Sequence, residues 1–223
     1  DVECIFHLGA ISDTTSTDPM MVNSHNVNYT ISLFMLAASK GIPVKYASSA
    51  SVYGMCQDTF NPLNFYALSK LTVDYWVQQH MGEFSHIQGF RFFNVYGPGE
   101  EDKVERGQAS PISTFAHQAK TQGKIKLFEN SDQYYRDFIH VDDVITCMLD
   151  NRKNSGIFDL GTSIPISFQD VGNLIAEKYK VPIEYIPFPE HLRGRYQEFT
   201  KAKNEGWPVN FRTVKSYVKN GME

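Results

Sequence analysis

The chain has 223 residues, 42% hydrophobic and 21% charged, which suits a soluble globular protein with one sizeable core or a large domain plus a small one. A formal net charge of −4 argues against nucleic acid or an anionic membrane surface as partner, since those need concentrated positive charge, and the longest basic cluster, around Leu192-Arg193-Gly194-Arg195, is short. Cys4, Cys56 and Cys147 lie far apart and form no C-x-x-C, so neither a disulfide framework nor a zinc site is expected and a reducing cytoplasm fits; no apolar run approaches the ~18–20 residues of a membrane span, and no signal peptide is visible.

The chain opens on Asp1 and VECIFHLGA, a strand-like run that reads like the middle of a fold, so an N-terminal portion is expected upstream. CIFHLGA (4–10) is the first strand candidate. A helical pattern from about Met20 to Lys40 is stopped by Gly41 and Pro43. VKYASSA (44–50) is the next strand, and an amphipathic helix follows from about Tyr66 to Met81, with Leu68, Leu71, Tyr75 and Val77 as a rough apolar face. IQGFRFFNVYG (87–97) is a third strand. This alternation predicts an α/β fold, a Rossmann-type parallel sheet with its N-terminal strands missing.

After Pro98 the texture changes. Residues 99–108 read as a polar loop, 110–122 as a helix and 125–129 as a strand. RDFIHVDDV (136–144) reads as a strand entering a helix capped by Asp142 or Asp143. IFDLGT (157–162) is a strand, Ser167 an N-cap, and IEYIPFP (183–189) a last strand. The expected organisation is a partial dinucleotide-binding domain over 1–97 plus about 133–162, and a smaller substrate domain over about 98–132 and 163–223.

Ligands of parallel α/β sheets bind outside the carboxyl ends of the strands. Three such ends carry small or polar residues: LGAIS (8–12), SSASVYG (48–54) and FNVYGP (93–98). Tyr66 and Lys70 stand four apart at the start of the helix after the second strand, which puts both on one helix face. A phenol titrates near 10, and a cation beside it favours the phenolate, so Lys70 is expected to lower the Tyr66 pKa. Ser49 can share a substrate proton, which makes the set a general acid–base device beside a hydride carrier. A lone Y-x-x-x-K is common in helices. The ordered series of a small-residue strand end, S-S-A-x-x-Y-G, Y-x-x-x-K and R-x-F-N-V-Y-G-P is specific.

That series resembles the extended short-chain dehydrogenase/reductase family of nucleotide-sugar enzymes. The likeness runs through FHLGAISDTT, YASSASVYG, NFYALSK, GFRFFNVYGPGE, KLFENS, YYRDFIHVDDV, SGIFDLGT and IEYIPFPEHLRGRYQEFT. The late segments resemble the branch that epimerises ADP-heptoses. The resemblance implies catalytic roles for Tyr66, Ser49 and Lys103, the last as a second acid–base group. It implies cofactor contacts from Gly9, Ala10, Ile11, Ser12, Asn26, Lys70 and Val95, and substrate contacts from Asn94, Phe128, Glu129, Asn130, Ser131, Arg136 and Tyr196. It further implies NADP (or NAD) as cofactor, an ADP-heptose as substrate, and a homo-oligomer.

The family's G-x-G-x-x-G loop, which seats a pyrophosphate on a helix N-terminus, is not in this sequence. Gly97-Pro98-Gly99 is followed by Glu100-Glu101-Asp102, which would repel phosphate. VERGQ after Lys103 is longer than the family pattern, so Arg106 competes with Lys103 for its role. A histidine the family places in the helix after Ser110 falls at Thr114, with His117 off register. His140 reads as structural, and Arg136 stands evenly between a surface ion pair and phosphate recognition. Another nucleotide-sugar epimerase or reductase of the same fold and a non-catalytic fragment remain alternatives; a dehydratase fits less well, since SSASVYG lacks that group's threonine–acid–acid set.

Overall fold

A computed structural model describes residues 2–55, 59–150, 153–190 and 197–222. The chain divides into two units, Asp1–Phe92 with Met148–Leu160, and Phe93–Cys147 with Gly161–Glu223.

The first unit is built on a four-stranded parallel sheet. Its strands β1 (Ile5–His7), β2 (Val44–Ser49), β3 (Ile87–Phe92) and β7 (Gly156–Leu160) lie in the order β1-β2-β3-β7. Asp18 caps the first helix by accepting from Met21 N, with Pro19 at the first helical position. The single helix expected over 20–40 is three joined segments: α1 (Pro19–Asn23), a π-helical turn (Ser24–Asn28) and α2 (Tyr29–Ser39). The wider π turn carries Asn26 inward. Asn64 caps α3 (Phe65–His80), accepting from Ala67 N. Leu68 and Tyr75, expected on the buried face of α3, are each 49% exposed. The inner face is instead Ala67, Leu71, Val73 and Val77 together with Ser69, Lys70 and Asp74. These buried polar groups interrupt the hydrophobic period and shift its apparent phase. Val27, Phe34, Val44, Tyr46, Val73, Val77 and Ile87 form the core.

The second unit holds β4 (Asn94–Tyr96), β6 (Tyr135–His140) and β8 (Pro165–Ser167) in one small sheet, and β5 (Ile125–Phe128) paired with β9 (Ile183–Ile186) in another. The strand expected over 87–97 therefore breaks at Phe93: β3 pairs with β2 and β7, β4 with β6. That pairing draws 93–97 and 133–147 into the second unit, although the sequence pattern assigns them to the first. A short helix α4 (Glu101–Glu105) occupies the expected loop. The Glu100 carboxylate anchors its start by accepting from Ser110 N, Ser110 Oγ and Ser113 Oγ. Ser110 caps α5 (Pro111–Gln122) and Ser167 caps α7 (Phe168–Tyr179), the latter as expected. A final helix, α8 (Val214–Asn220), has no counterpart in the sequence reading. Tyr96, Ile112, Phe115, Leu127, Phe138, Phe168, Val171 and Ile175 form this unit's core.

Asp142 and Asp143 lie inside the first turn of α6 (Val141–Leu149) rather than at its cap. Both hold the 212 segment: Asp143 accepts from Arg212 N at 2.7 Å and Asp142 from the Arg212 guanidinium. The acceptor for Asp142 N is His140 Nδ1, and His140 is buried between Tyr96 and Tyr217, with burial lowering its pKa. Among the described residues no helix is long and apolar enough to cross a membrane, and no group of His, Cys, Asp and Glu is arranged to hold a metal ion.

Candidate active site

The carboxyl end of β2 and the first turns of α3 bring Ser49, Tyr66 and Lys70 together. Ser49 ends β2 in extended conformation and caps the 3₁₀ turn Ala50–Tyr53, accepting from Ser51 N at 3.2 Å and Ser51 Oγ at 2.9 Å. Gly54 closes this turn at φ 58°, where a Cβ would sit 1.7 Å from the Asn61 carbonyl oxygen, so only glycine fits. The Ser49 side chain lies near enough to Tyr66 to lower its pKa.

Lys70 is buried, and its ammonium donates to Ala47 O at 2.7 Å, which ties α3 to β2. It also lies 5.8 Å from the Tyr66 ring centroid. Burial drives the Lys70 pKa down to about 8, and Asp74 opposes that fall. Burial pushes the Tyr66 pKa up, offset in part by Ser49. This direction is opposite to the expectation from Lys70: loss of water around the hydroxyl outweighs the cation, whose nearest bond goes to Ala47.

Asn26 joins two segments of this site. Its Oδ1 accepts from Ile11 N at 2.8 Å, and its Nδ2 donates to Ile11 O at 2.9 Å and to Ser69 Oγ at 3.0 Å. Ser69 Oγ in turn donates to Tyr66 O at 2.7 Å. A hydrogen-bonded path therefore runs from the loop after β1 through the π turn to the backbone of Tyr66. Gly9, Ala10 and Ser12 on that loop are exposed, and the space beyond Gly9 is open for 4 Å around a notional Cβ.

The remaining candidates lie in the second unit. Asn94 and Val95 are half-buried on β4, opposite Phe138 and Ile139. Lys103 is exposed on α4, and Arg106 is exposed at its C-cap, where its Nε donates to Asp102 O at 3.1 Å. Phe128 ends β5 and packs edge-on against Phe188 at 5.2 Å. Glu129 and Asn130 are exposed in the following turn, which Asn130 makes possible by adopting φ 61°. Ser131 is buried and donates its hydroxyl to Gln169 Oε1 at 2.9 Å, so its side chain secures the turn. Arg136 is buried on β6, donating to Tyr135 O at 3.0 Å with its guanidinium 5.3 Å from the Phe168 ring centroid. Tyr196 lies outside the described residues.

Two buried polar systems escape the sequence reading. In the second unit, Asp137 accepts from Thr162 N, Thr162 Oγ1, Ser163 N and Ala202 N. In the first, Asp74 accepts from Tyr46 OH, Ser48 Oγ and Arg91 Nε. The legible signal for Asp74 is its spacing, one further turn along the face that carries Tyr66 and Lys70.

Comparison with known proteins places this site in context. The pattern of the NAD dependent epimerase/dehydratase family matches residues 1–161. An ADP-L-glycero-D-manno-heptose-6-epimerase of Brachyspira hyodysenteriae is 39% identical over 241 residues, spanning 100% of this chain and 75% of the relative. The enzyme of that name from Alkalilimnicola ehrlichii is 37% identical over 243 residues, again 100% of this chain and 75% of the relative. The crystal structure of a Helicobacter pylori ADP-L-glycero-D-manno-heptose-6-epimerase superposes with a TM-score of 0.84 at 29% identity, covering 97% of this chain and 70% of that one. The parallel sheet and the family match agree, and the chain belongs to the NAD dependent epimerase/dehydratase family.

Proposed function

We propose that the protein interconverts ADP-D-glycero- and ADP-L-glycero-D-manno-heptose in the cytoplasm, inverting the carbon that bears the 6-hydroxyl. The observation that carries this reading is the convergence of an alcohol, a phenol and a buried ammonium at Ser49, Tyr66 and Lys70. A nicotinamide dinucleotide, NADP in this reading and NAD as the alternative, supplies reversible hydride acceptance when bound. The residues present fit such a group. Lys70 spends one ammonium proton on Ala47 O, which leaves two donors for a ribose hydroxyl pair. Gly9, Ala10, Ile11, Ser12, Asn26 and Val95 complete the cofactor set.

Ser49 binds the substrate hydroxyl and shares its proton with Tyr66. With its pKa raised, Tyr66 carries its proton at neutral pH and donates it when the carbonyl is reduced; the reverse transfer returns it. Lys103, with Arg106 as the alternative, is the second acid–base group that an inversion calls for. Asn94, Phe128, Glu129, Asn130, Ser131, Arg136 and Tyr196 form the substrate set, with the Arg136 fork suited to phosphate.

The test is incubation of the full-length protein, with NADP or NAD, with each ADP-heptose epimer, resolving the two by chromatography. Interconversion is expected, with Tyr66→Phe slowed ~10²–10⁴-fold. No interconversion by the unmodified protein with either cofactor overturns the substrate; full activity in Tyr66→Phe overturns the mechanism; full activity in Lys103→Ala transfers the second role away from Lys103.

A further inference from the structure

The face of α3 that carries Tyr66 and Lys70 continues one turn further to Asp74, which is 1% exposed. Three donors converge on its carboxylate: Tyr46 OH at 3.0 Å, Ser48 Oγ at 2.9 Å and Arg91 Nε at 2.9 Å. Burial raises the Asp74 pKa, and the Arg91 charge and the three donated hydrogen bonds work against that rise in favour of the ionised carboxylate. Arg91 continues outward, giving Nη1 to Tyr53 OH at 3.0 Å, and Tyr53 OH donates to Asp159 Oδ1 at 2.7 Å.

Strand register explains how these groups meet. Ser48 pairs with Arg91 and Arg91 with Asp159, so a polar row crosses β2, β3 and β7. Two residues earlier, Tyr46 pairs with Gly89, and a Cβ on Gly89 would come within 2.4 Å of the Tyr46 ring. Glycine there makes room for the ring whose hydroxyl reaches Asp74.

We infer that Asp74 is a positioning residue for Lys70: a carboxylate held rigidly one helical turn away that keeps the ammonium charged and seated on Ala47 O. The inference rests on the cofactor-binding role proposed for Lys70. The balance of charge supports it. In this row Lys70 and Arg91 stand against Asp74 and Asp159. Without Asp74 two buried cations would face one carboxylate, itself reached through Tyr53. The other titratable groups around the pair, among the described residues, are His7 from β1, Tyr46 from β2, Tyr53 from the 3₁₀ turn and Tyr66 on α3. None of these is an anion at neutral pH: burial and Lys70 lower the His7 pKa, and burial raises those of the three tyrosines. Asp74 is therefore the counter-charge that opposes the fall of the Lys70 pKa caused by burial.

The test follows the Lys70 charge directly in the full-length protein labelled with ¹³C at lysine Cε. The Lys70 resonance is assigned by its loss in Lys70→Arg. The unmodified protein is expected to show a Lys70 midpoint near 8. In Asp74→Asn the midpoint falls by about a pH unit or more, a roughly tenfold loss of proton affinity, and the alkaline limb of the activity profile moves down with it. Asp74→Ser, a second uncharged replacement of different size, is expected to lower the midpoint in the same way and keeps the test decisive should Asp74→Asn not fold. An unmoved midpoint in folded Asp74→Asn or Asp74→Ser overturns the coupling. A shifted midpoint with an unchanged activity profile overturns the role given to Lys70 and leaves the coupling standing.

Discussion

Replacing Lys70 with methionine removes a buried charge while keeping an unbranched chain of similar length. The folded Lys70 pKa of about 8 lies below the ordinary 10.5, because burial disfavours the ammonium. A depressed lysine pKa costs stability while the group is charged in both states. That cost is complete below pH 8 and fades as pH rises towards 10.5, because the folded state then releases a proton the unfolded chain keeps. The gap of about 2.5 units corresponds to roughly 3 kcal/mol, of which about 2.5 kcal/mol disappears between pH 7 and pH 10. Lys70→Met should therefore gain stability relative to the unmodified protein at pH 7 by about that much more than it does at pH 10. Its absolute offset also contains the lost bond to Ala47 O, which cancels in the pH difference. The assay is urea unfolding in a Trp207→Phe background, so that Trp76 reports the first unit alone. Parallel stability–pH curves for the unmodified and Lys70→Met proteins would refute the claim that a charged, desolvated lysine lies beneath the site.

Gly89→Ala drives a Cβ into the Tyr46 ring and should destabilise the first unit by ~1–3 kcal/mol. In a Tyr46→Ala background that cost should drop by more than ~0.5 kcal/mol, and additive effects would mean the ring is not the obstacle. Asp137→Asn points an amide at a site surrounded by three backbone N–H groups and the Thr162 hydroxyl. It should cost the second unit roughly 3 kcal/mol or more, since each buried donor left unsatisfied costs ~1–3 kcal/mol. Trp207 fluorescence in a Trp76→Phe background measures this, and a loss below ~1 kcal/mol would contradict the clamp.

Much of the fold is legible in the chain because its signals are local. Glycines and prolines stop helices, Ser and Asn cap them, and β-branched or aromatic runs mark strands; β2, α3, α5 and α7 are found where these signals stand. The break at Phe93 is not legible: FRFFNVYG is one continuous strand-like run, and only the choice of partner strands divides it. The α4 segment is missed for the reverse reason, since its polar sequence has no apolar face and the Glu100 that starts it is anchored by Ser110 and Ser113, ten and thirteen residues away.

The meeting of Ser49, Tyr66 and Lys70 at the carboxyl edge of the sheet follows from the order of residues alone. Ser49 ends a strand, and Tyr66 and Lys70 share a helix face, through short-range periodicities that hold in any context. The protonation of those groups is set in three dimensions. Desolvation raises the Tyr66 pKa against the expected direction and lowers that of Lys70, a fall that Asp74 opposes. A pKa depends on which charges and how much water surround a group, and both are properties of the packed interior rather than of the neighbouring residues in the chain.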